Sequence, residues 1–272
     1  MKKIIITLLL ISLSLFNYSQ NKENKYYEID SLINAEKVYP NFKAKVLLKN
    51  EFSEFKNEAE YWNRLAIANF YSNVYSSAKK CLKKGLKIDP KYYDLYLTKS
   101  LFYWNDYKVL EARNLLDSIL EFKKKGEYYY YKGVFNYYLA EKEKALSDYE
   151  NAIKYNYKNQ KVYFNKSLIH YVFSDFKKAI KSFSKSLEVN KNSYFALGGL
   201  ANIYLKQKRG KKAQEYAQKA TLINPKYAFG YYVLGKTKVI LKNGNYCNDF
   251  IKAKELGQKD MVEILNEFCN PK

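Results

Sequence analysis

The side chains able to do chemistry are few. The chain of 272 residues has one histidine, His170, and three cysteines, Cys81, Cys247 and Cys269. A structural zinc site takes about four Cys or His ligands and a catalytic one about three. His170 has no second imidazole to work with and no thiol near it in sequence, so no metal centre is expected. The chain has no G-x-S-x-G, no H-E-x-x-H and no EF-hand loop. Gly198-Gly199 stands inside an apolar helical pattern rather than after a strand, which argues against a phosphate cradle at that position. Glu141 and Glu143 sit among lysines and read as solvated surface rather than as an acid–base pair. No catalytic residue and no cofactor is expected, and the chain reads as a non-enzyme.

What remains is binding chemistry. Tyrosine is the outlying residue type, with 30 Tyr beside 16 Phe and 2 Trp. Lysine and arginine total 48 against 27 acidic residues, a formal charge of +21. Arg64, Arg113 and Arg209 are the arginines, and every other cation of that total is lysine. Base and phosphate recognition favours the bidentate guanidinium, so nucleic acid is not an expected partner. A hydrophobic share of 47% excludes a wholly disordered chain, and a charged share of 28% excludes a multi-span membrane protein.

The first residues read as an export signal. Lys2 and Lys3 precede an apolar run from Ile4 to Phe16, and Asn17-Tyr18-Ser19-Gln20 turns polar. The run is shorter than the ~20 residues a membrane helix needs. A signal peptide over 1–20 is expected, with cleavage after Ser19 or Gln20 and no integral membrane segment in the mature chain. That chain is then exported, periplasmic or secreted, into an oxidising compartment.

The elements that must position the aromatics show in an internal lattice. Ala78, Ala112, Ala145, Ala179 and Ala213 recur at intervals of 34, 33, 34 and 34, and the next step lands on Cys247. Twelve residues upstream of each stand Ala66, Ser100, Gly133, Ser167, Ala201 and Gly235. Two locked rows of small residues describe two helices per unit, A then B, whose backbones approach closely where the small residues meet. A unit of that size cannot bury its apolar face alone, so units must stack.

The chain here resembles the tetratricopeptide repeat (TPR) family. Trp62-x2-Leu65-Ala66 continues through Ala78 and Leu82 to Pro90, and Leu197-x2-Leu200-Ala201-x2-Tyr204 continues through Ala213 and Ala220 to Pro225. The resemblance implies an all-α, right-handed α-solenoid of about six TPR helix-turn-helix units with a C-terminal capping helix. The boundaries read as a signal peptide at 1–20, a degenerate leading repeat at 21–58, and a solenoid at 59–259. Units start near 59, 93, 126, 160, 194 and 228, and a cap and tail fill 260–272. The leader and composition are similar to those of exported Bacteroidetes TPR proteins of the flavobacterial kind.

The resemblance carries two expectations about sites. Cys247, in the small inward slot of the last helix B, and Cys269, ending the cap helix, form a disulfide as in similar secreted TPR proteins; two buried thiols are the alternative. Cys81 is a buried inert thiol. The A helices of such solenoids line a concave groove, which places Phe70, Tyr71, Trp104, Tyr130, Tyr137, Tyr138, Phe164 and Tyr171 at a partner site. Later units turn polar at Asn202, Lys206 and Lys236. Some of these aromatics must pack between helices. The expected function is a non-catalytic scaffold binding a peptide or protein segment. The alternative is a module for glycan or anionic envelope polymer, with envelope-surface association through the lysines of helix B.

Overall fold

The computed structural model describes residues 26–31, 38–51 and 53–269; the leader at 1–20 lies outside them. Every regular element among these residues is helical. The chain forms two compact units, one up to Lys123 and one from Lys124 onward.

The first unit holds α1 (26–31), α2 (Val38–Glu51), a 3-10 turn (Ser53–Phe55), α3 (Ala59–Tyr71), α4 (Tyr75–Ile88), α5 (Asp94–Asn105) and α6 (Val109–Leu120). Its core gathers Tyr26, Ile29, Ala44, Leu48, Phe55, Tyr61 and Leu65. Arg64 clamps α1 to α3 by bonding Asp30 at 2.7 and 2.8 Å through two nitrogens. The unit closes on Phe122, whose ring stacks on Tyr93 with centroids 6.0 Å apart.

The second unit holds α7 (Gly126–Tyr138), α8 (Lys142–Lys154), α9 (Gln160–Val172), α10 (Phe176–Val189), α11 (Tyr194–Lys206), α12 (Gly210–Ile223), α13 (Ala228–Leu241), α14 (Tyr246–Glu255) and α15 (Met261–Phe268). The pairs α7/α8, α9/α10, α11/α12 and α13/α14 are antiparallel hairpins, as are α3/α4 and α5/α6 in the first unit. The fold class is therefore an all-α, solenoid-type series of helix hairpins.

Local rules make each hairpin. Helix A ends on a residue in the left-handed region, in turn Asn73, Tyr107, Ala140, Ser174 and Lys208, each with φ between 57 and 61°. That conformation lets the next amides bond back to the helix, as Asn73 N to Phe70 O and Val74 N to Asn69 O, both 2.9 Å. At the other end Asp89, Asn190 and Asn224 leave the helical region. Their side-chain oxygens accept from the amides of Lys91, Asn192 and Lys226 at 2.8–3.0 Å. Asn190 stops its helix without a following proline, so the side-chain turn, more than Pro90 or Pro225, is the shared device.

The two small rows are the close contact. Ala66, Ser100, Ser167 and Ala201 have no exposed surface or nearly none, and the same holds for Ala78, Ala112, Ala145, Ala179 and Ala213. Helix B buries positions spaced 0, 3, 4 and 7 from its small residue, as Ala179, Ser182, Phe183 and Ser186 do on α10. On α14 the buried set is Asp249, Phe250 and Ala253, which places Tyr246 at the head of the row. This corrects the assignment of Cys247 to the small slot. Lys242 and Gly244 both take positive φ in the preceding turn, α14 starts at Tyr246, and Cys247 stands one residue past the row, half-buried.

Cys247 and Cys269 are disulfide-bonded, with Cα atoms 5.6 Å apart across a separation of 22 residues. The bond ties α15 to α14, where Met261, Ile264, Leu265 and Phe268 pack around Phe250 and Ala253. Replacing both cysteines by serine is expected to lower the stability of the second unit by roughly 3 kcal/mol, from the entropy regained by the opened loop. Urea unfolding of the pair variant checks it. An unchanged midpoint would mean that the cap is held by packing alone.

Candidate partner-binding surfaces

The eight aromatics expected at a partner site divide between the units. In the first, Phe70 is 8% exposed. Its ring meets Phe102 at 5.0 Å, Tyr71 at 5.4 Å and Tyr75 at 5.6 Å, all edge-on. Tyr71 and Trp104 are half-buried. In the second, Tyr130 is 7% exposed and sits among Tyr131, Tyr149 and Tyr157. Phe70 and Tyr130 are thus core residues and leave the candidate set. A large ring that meets the rings of neighbouring helices fills the space between them before it can reach solvent.

Tyr137 and Tyr138 end α7 with 36% and 62% of their surface exposed, their rings perpendicular at 6.0 Å. Phe164 lies on α9 between Phe183 at 5.9 Å and Phe195 at 6.0 Å. Tyr171, the residue before the end of α9, accepts a 2.8 Å hydrogen bond from Asn202 Nδ2 on α11. Lys206 lies 5.8 Å from its ring centroid. Asn202 and Lys206, read from the sequence as a loss of aromatic character, therefore frame Tyr171 from the neighbouring helix.

One set of rings extends beyond the expected residues. Phe164 continues through Phe195, Tyr227 and Phe229 to Tyr232, with successive centroids 5.5–6.1 Å apart. Phe195 is 49% exposed. Gly198 permits this ladder: a Cβ there would stand 2.6 Å from the Tyr227 hydroxyl. Burial pushes the Tyr227 phenol well above its ordinary range, with Tyr194 adding to it. The signal is legible in the sequence, since Phe195 and Phe229 are 34 residues apart. The repeat pattern starts two positions later, at the slot held by Leu197, and so passes over it.

One set of buried side chains serves the hairpins. A slot three residues after the small residue of helix A faces the slot three residues after that of helix B. Asn69 Nδ2 points at Cys81 Sγ at 3.9 Å, Asn136 Nδ2 donates to Asp148 Oδ2 at 2.7 Å, and Tyr204 stacks on Tyr216 at 5.5 Å. His170 holds that slot on α9 at 9% exposure. Burial, and then Lys166, lower its pKa, which keeps the ring neutral at neutral pH. Cys81 is buried and outside any disulfide, and desolvation pushes its thiol up, away from the reactive thiolate. Among the described residues no three His, Cys, Asp or Glu side chains are grouped to hold a metal ion, and no helix is long and apolar enough to cross a membrane.

Residues 59–92 and 196–227 match the family described as Tetratricopeptide repeat. No curated protein matches the chain. Among solved structures, a chain of the APC/C hetero-tetramer Cut9–Hcn1 is similar over 88% of this chain and 47% of that one, at 14% identity and a TM-score of 0.70. The chain thus spans about half the length of that relative. pilF of Pseudomonas aeruginosa aligns over 79% of this chain and 93% of its own, at 17% identity and a TM-score of 0.64. YrrB, described as a TPR protein with an unusual peptide-binding site, aligns over 68% of this chain and 97% of its own, at 16% identity and a TM-score of 0.56. At such identities the likeness is one of fold, a series of helix hairpins, and the two matched segments are similar to tetratricopeptide repeats.

Proposed function

We propose that this protein is a non-catalytic exported scaffold that binds a peptide or protein segment on the A-helix face of its second unit. TPR proteins serve as protein-interaction scaffolds, and the chain carries their repeats. The observation that supports this face is its accessible rings, Tyr137 and Tyr138 on α7, Phe164 and Tyr171 on α9, and Phe195 on α11. Aromatic rings offer large amphipathic area with few rotatable bonds to freeze, which is why they concentrate interface energy. The solved structure of YrrB, with its peptide-binding site, is a relative in fold. Export rests on the charged, apolar and polar succession of residues 1–20, and the disulfide accords with an oxidising compartment.

A displayed library of random peptides selected on the full chain tests the reading. Tyr138→Ala and Phe195→Ala should each weaken the selected peptides by about 1–4 kcal/mol, with helical circular dichroism unchanged. Reversing Lys177, Lys181 and Lys185 to glutamate should alter mainly the salt dependence. If the alanine variants bind like the parent, the face is not the peptide site. If glycans are retained where peptides are not, the envelope-polymer alternative replaces it.

A further inference from the structure

One edge of the second unit brings exposed cations and exposed apolar side chains together. There each helix A turns into its helix B, around residues 139–141, 173–175, 207–209 and 242–245. Contacts show that successive turns are neighbours. Lys142 Nζ lies 5.4 Å from the Phe173 ring centroid, Lys206 lies against Tyr171, and a Cβ on Gly210 would meet Leu241 at 2.7 Å.

Two features coincide on this edge. The first is charge. Lys206, Lys208, Arg209, Lys211 and Lys212 are all exposed, with no carboxylate between them in sequence and none within ion-pair distance among the described residues. Of the acidic groups along the same edge, Glu141 is bound by Lys144 at 2.7 Å and Asp175 by Lys178 at 3.0 Å, leaving Glu143. The second is apolar exposure. Val172 and Phe173 show 50% and 47% of their surface to solvent, and Ile240 48%. Cations interleaved with exposed aliphatic and aromatic groups match an interface that is anionic at its surface and apolar just beneath it.

We infer that this edge docks the second unit peripherally on an anionic phospholipid bilayer. Phe173, Val172 and Ile240 enter the acyl boundary, and the 206–212 turn lies over the headgroup phosphates. A nucleic acid or soluble anionic polymer would use the lysines and gain nothing from burying Val172 and Ile240. The lone guanidinium in the cluster, Arg209, sits 5.1 Å over the Tyr204 ring, a further reason against base or phosphate forks.

Cosedimentation of the full chain with phosphatidylcholine vesicles, with and without one third phosphatidylglycerol, tests the proposal. The apolar run at 4–16 is common to every variant, so the reading is the difference between variants. Lys208→Gln/Lys211→Gln/Lys212→Gln should reduce partitioning onto the anionic vesicles by at least about tenfold, since each basic residue near such a surface contributes roughly fivefold. Added salt should erase most of that difference. Val172→Ser/Phe173→Ser should reduce partitioning by about tenfold. Lys181→Gln/Lys185→Gln, on the body of α10, should leave it near the parent value. Equal partitioning of the parent and both edge variants overturns the proposal. So does retention of the parent on heparin or DNA with no dependence on phosphatidylglycerol. Unchanged peptide selection by both edge variants separates this surface from the peptide face.

Discussion

Phe183→Ala is expected to lower the unfolding free energy of the second unit by about 3–5 kcal/mol. The ring is 1% exposed and stands where three helices meet. It lies on α10, contacts Phe164 of α9 at 5.9 Å, and fills the space left by the missing side chain of Gly199 on α11. A Cβ at Gly199 would overlap the ring outright, so the glycine and the phenylalanine are one packing decision. Alanine at 183 leaves a cavity whose floor is a glycine backbone, and neighbouring helices held by their own small-residue contacts cannot collapse into it. Leu222→Ala is the control: that side chain is 82% exposed, and its loss should change stability by no more than about 0.5 kcal/mol. Urea and thermal unfolding followed by circular dichroism compare the two. Equal midpoints would mean that Phe183 does not occupy the junction.

Lys238→Met should cost about 3–5 kcal/mol at neutral pH, with a dependence on pH that identifies the cause. Lys238 Nζ lies 2.7 Å from Asp249 Oδ2, and the two side chains are 20% and 11% exposed. Burial raises the Asp249 pKa, and the ammonium partly restores it. An acid whose folded pKa is raised binds its proton more tightly when folded. Its contribution to stability is full below the unfolded value, near ~4, and falls as pH rises through the folded value. Without Lys238 the folded pKa climbs further, so the variant should lose little near pH ~4 and most at neutral pH. Lys238→Met/Asp249→Leu should recover much of the loss, because an apolar pair of similar volume carries no desolvation cost. A loss that stays constant across the pH series would show that methionine disturbs packing and that the ion pair is not its source.

The same slot shows how far residue spacing reaches. Asn136 with Asp148 and Tyr204 with Tyr216 are twelve residues apart, and Lys238 with Asp249 eleven. A period found from alanines predicts that such residues share a hairpin. It does not predict which chemistry each unit will use there, because hydrogen bonds, stacked rings and an ion pair fit the same distance. The shortened step before Asp249 is hidden in the sequence because Cys247 is itself small and completes the arithmetic. The buried set of Asp249, Phe250 and Ala253, with the second left-handed residue in the turn at 242–245, shows that Tyr246 heads the row. Phe70 and Tyr130 make the same point for binding. Their helix positions are those of a groove, yet exposure depends on the neighbouring rings, Phe102 for one and Tyr149 with Tyr157 for the other.

The pairing of Cys247 with Cys269 was an expectation from the family resemblance; the sequence by itself determined the period, the two-helix unit and the scarcity of catalytic groups. These depend on residue type and spacing along a helix, which local geometry dictates. Tertiary structure alone decided which aromatics face solvent, how Asn202 and Lys206 enclose Tyr171, and that the lysines of the 206–212 turn share an edge with Val172, Phe173 and Ile240. Those outcomes arise where one hairpin meets the next. There a side chain's surroundings come from residues some thirty positions away, and a single-residue change of phase exchanges buried positions for exposed ones.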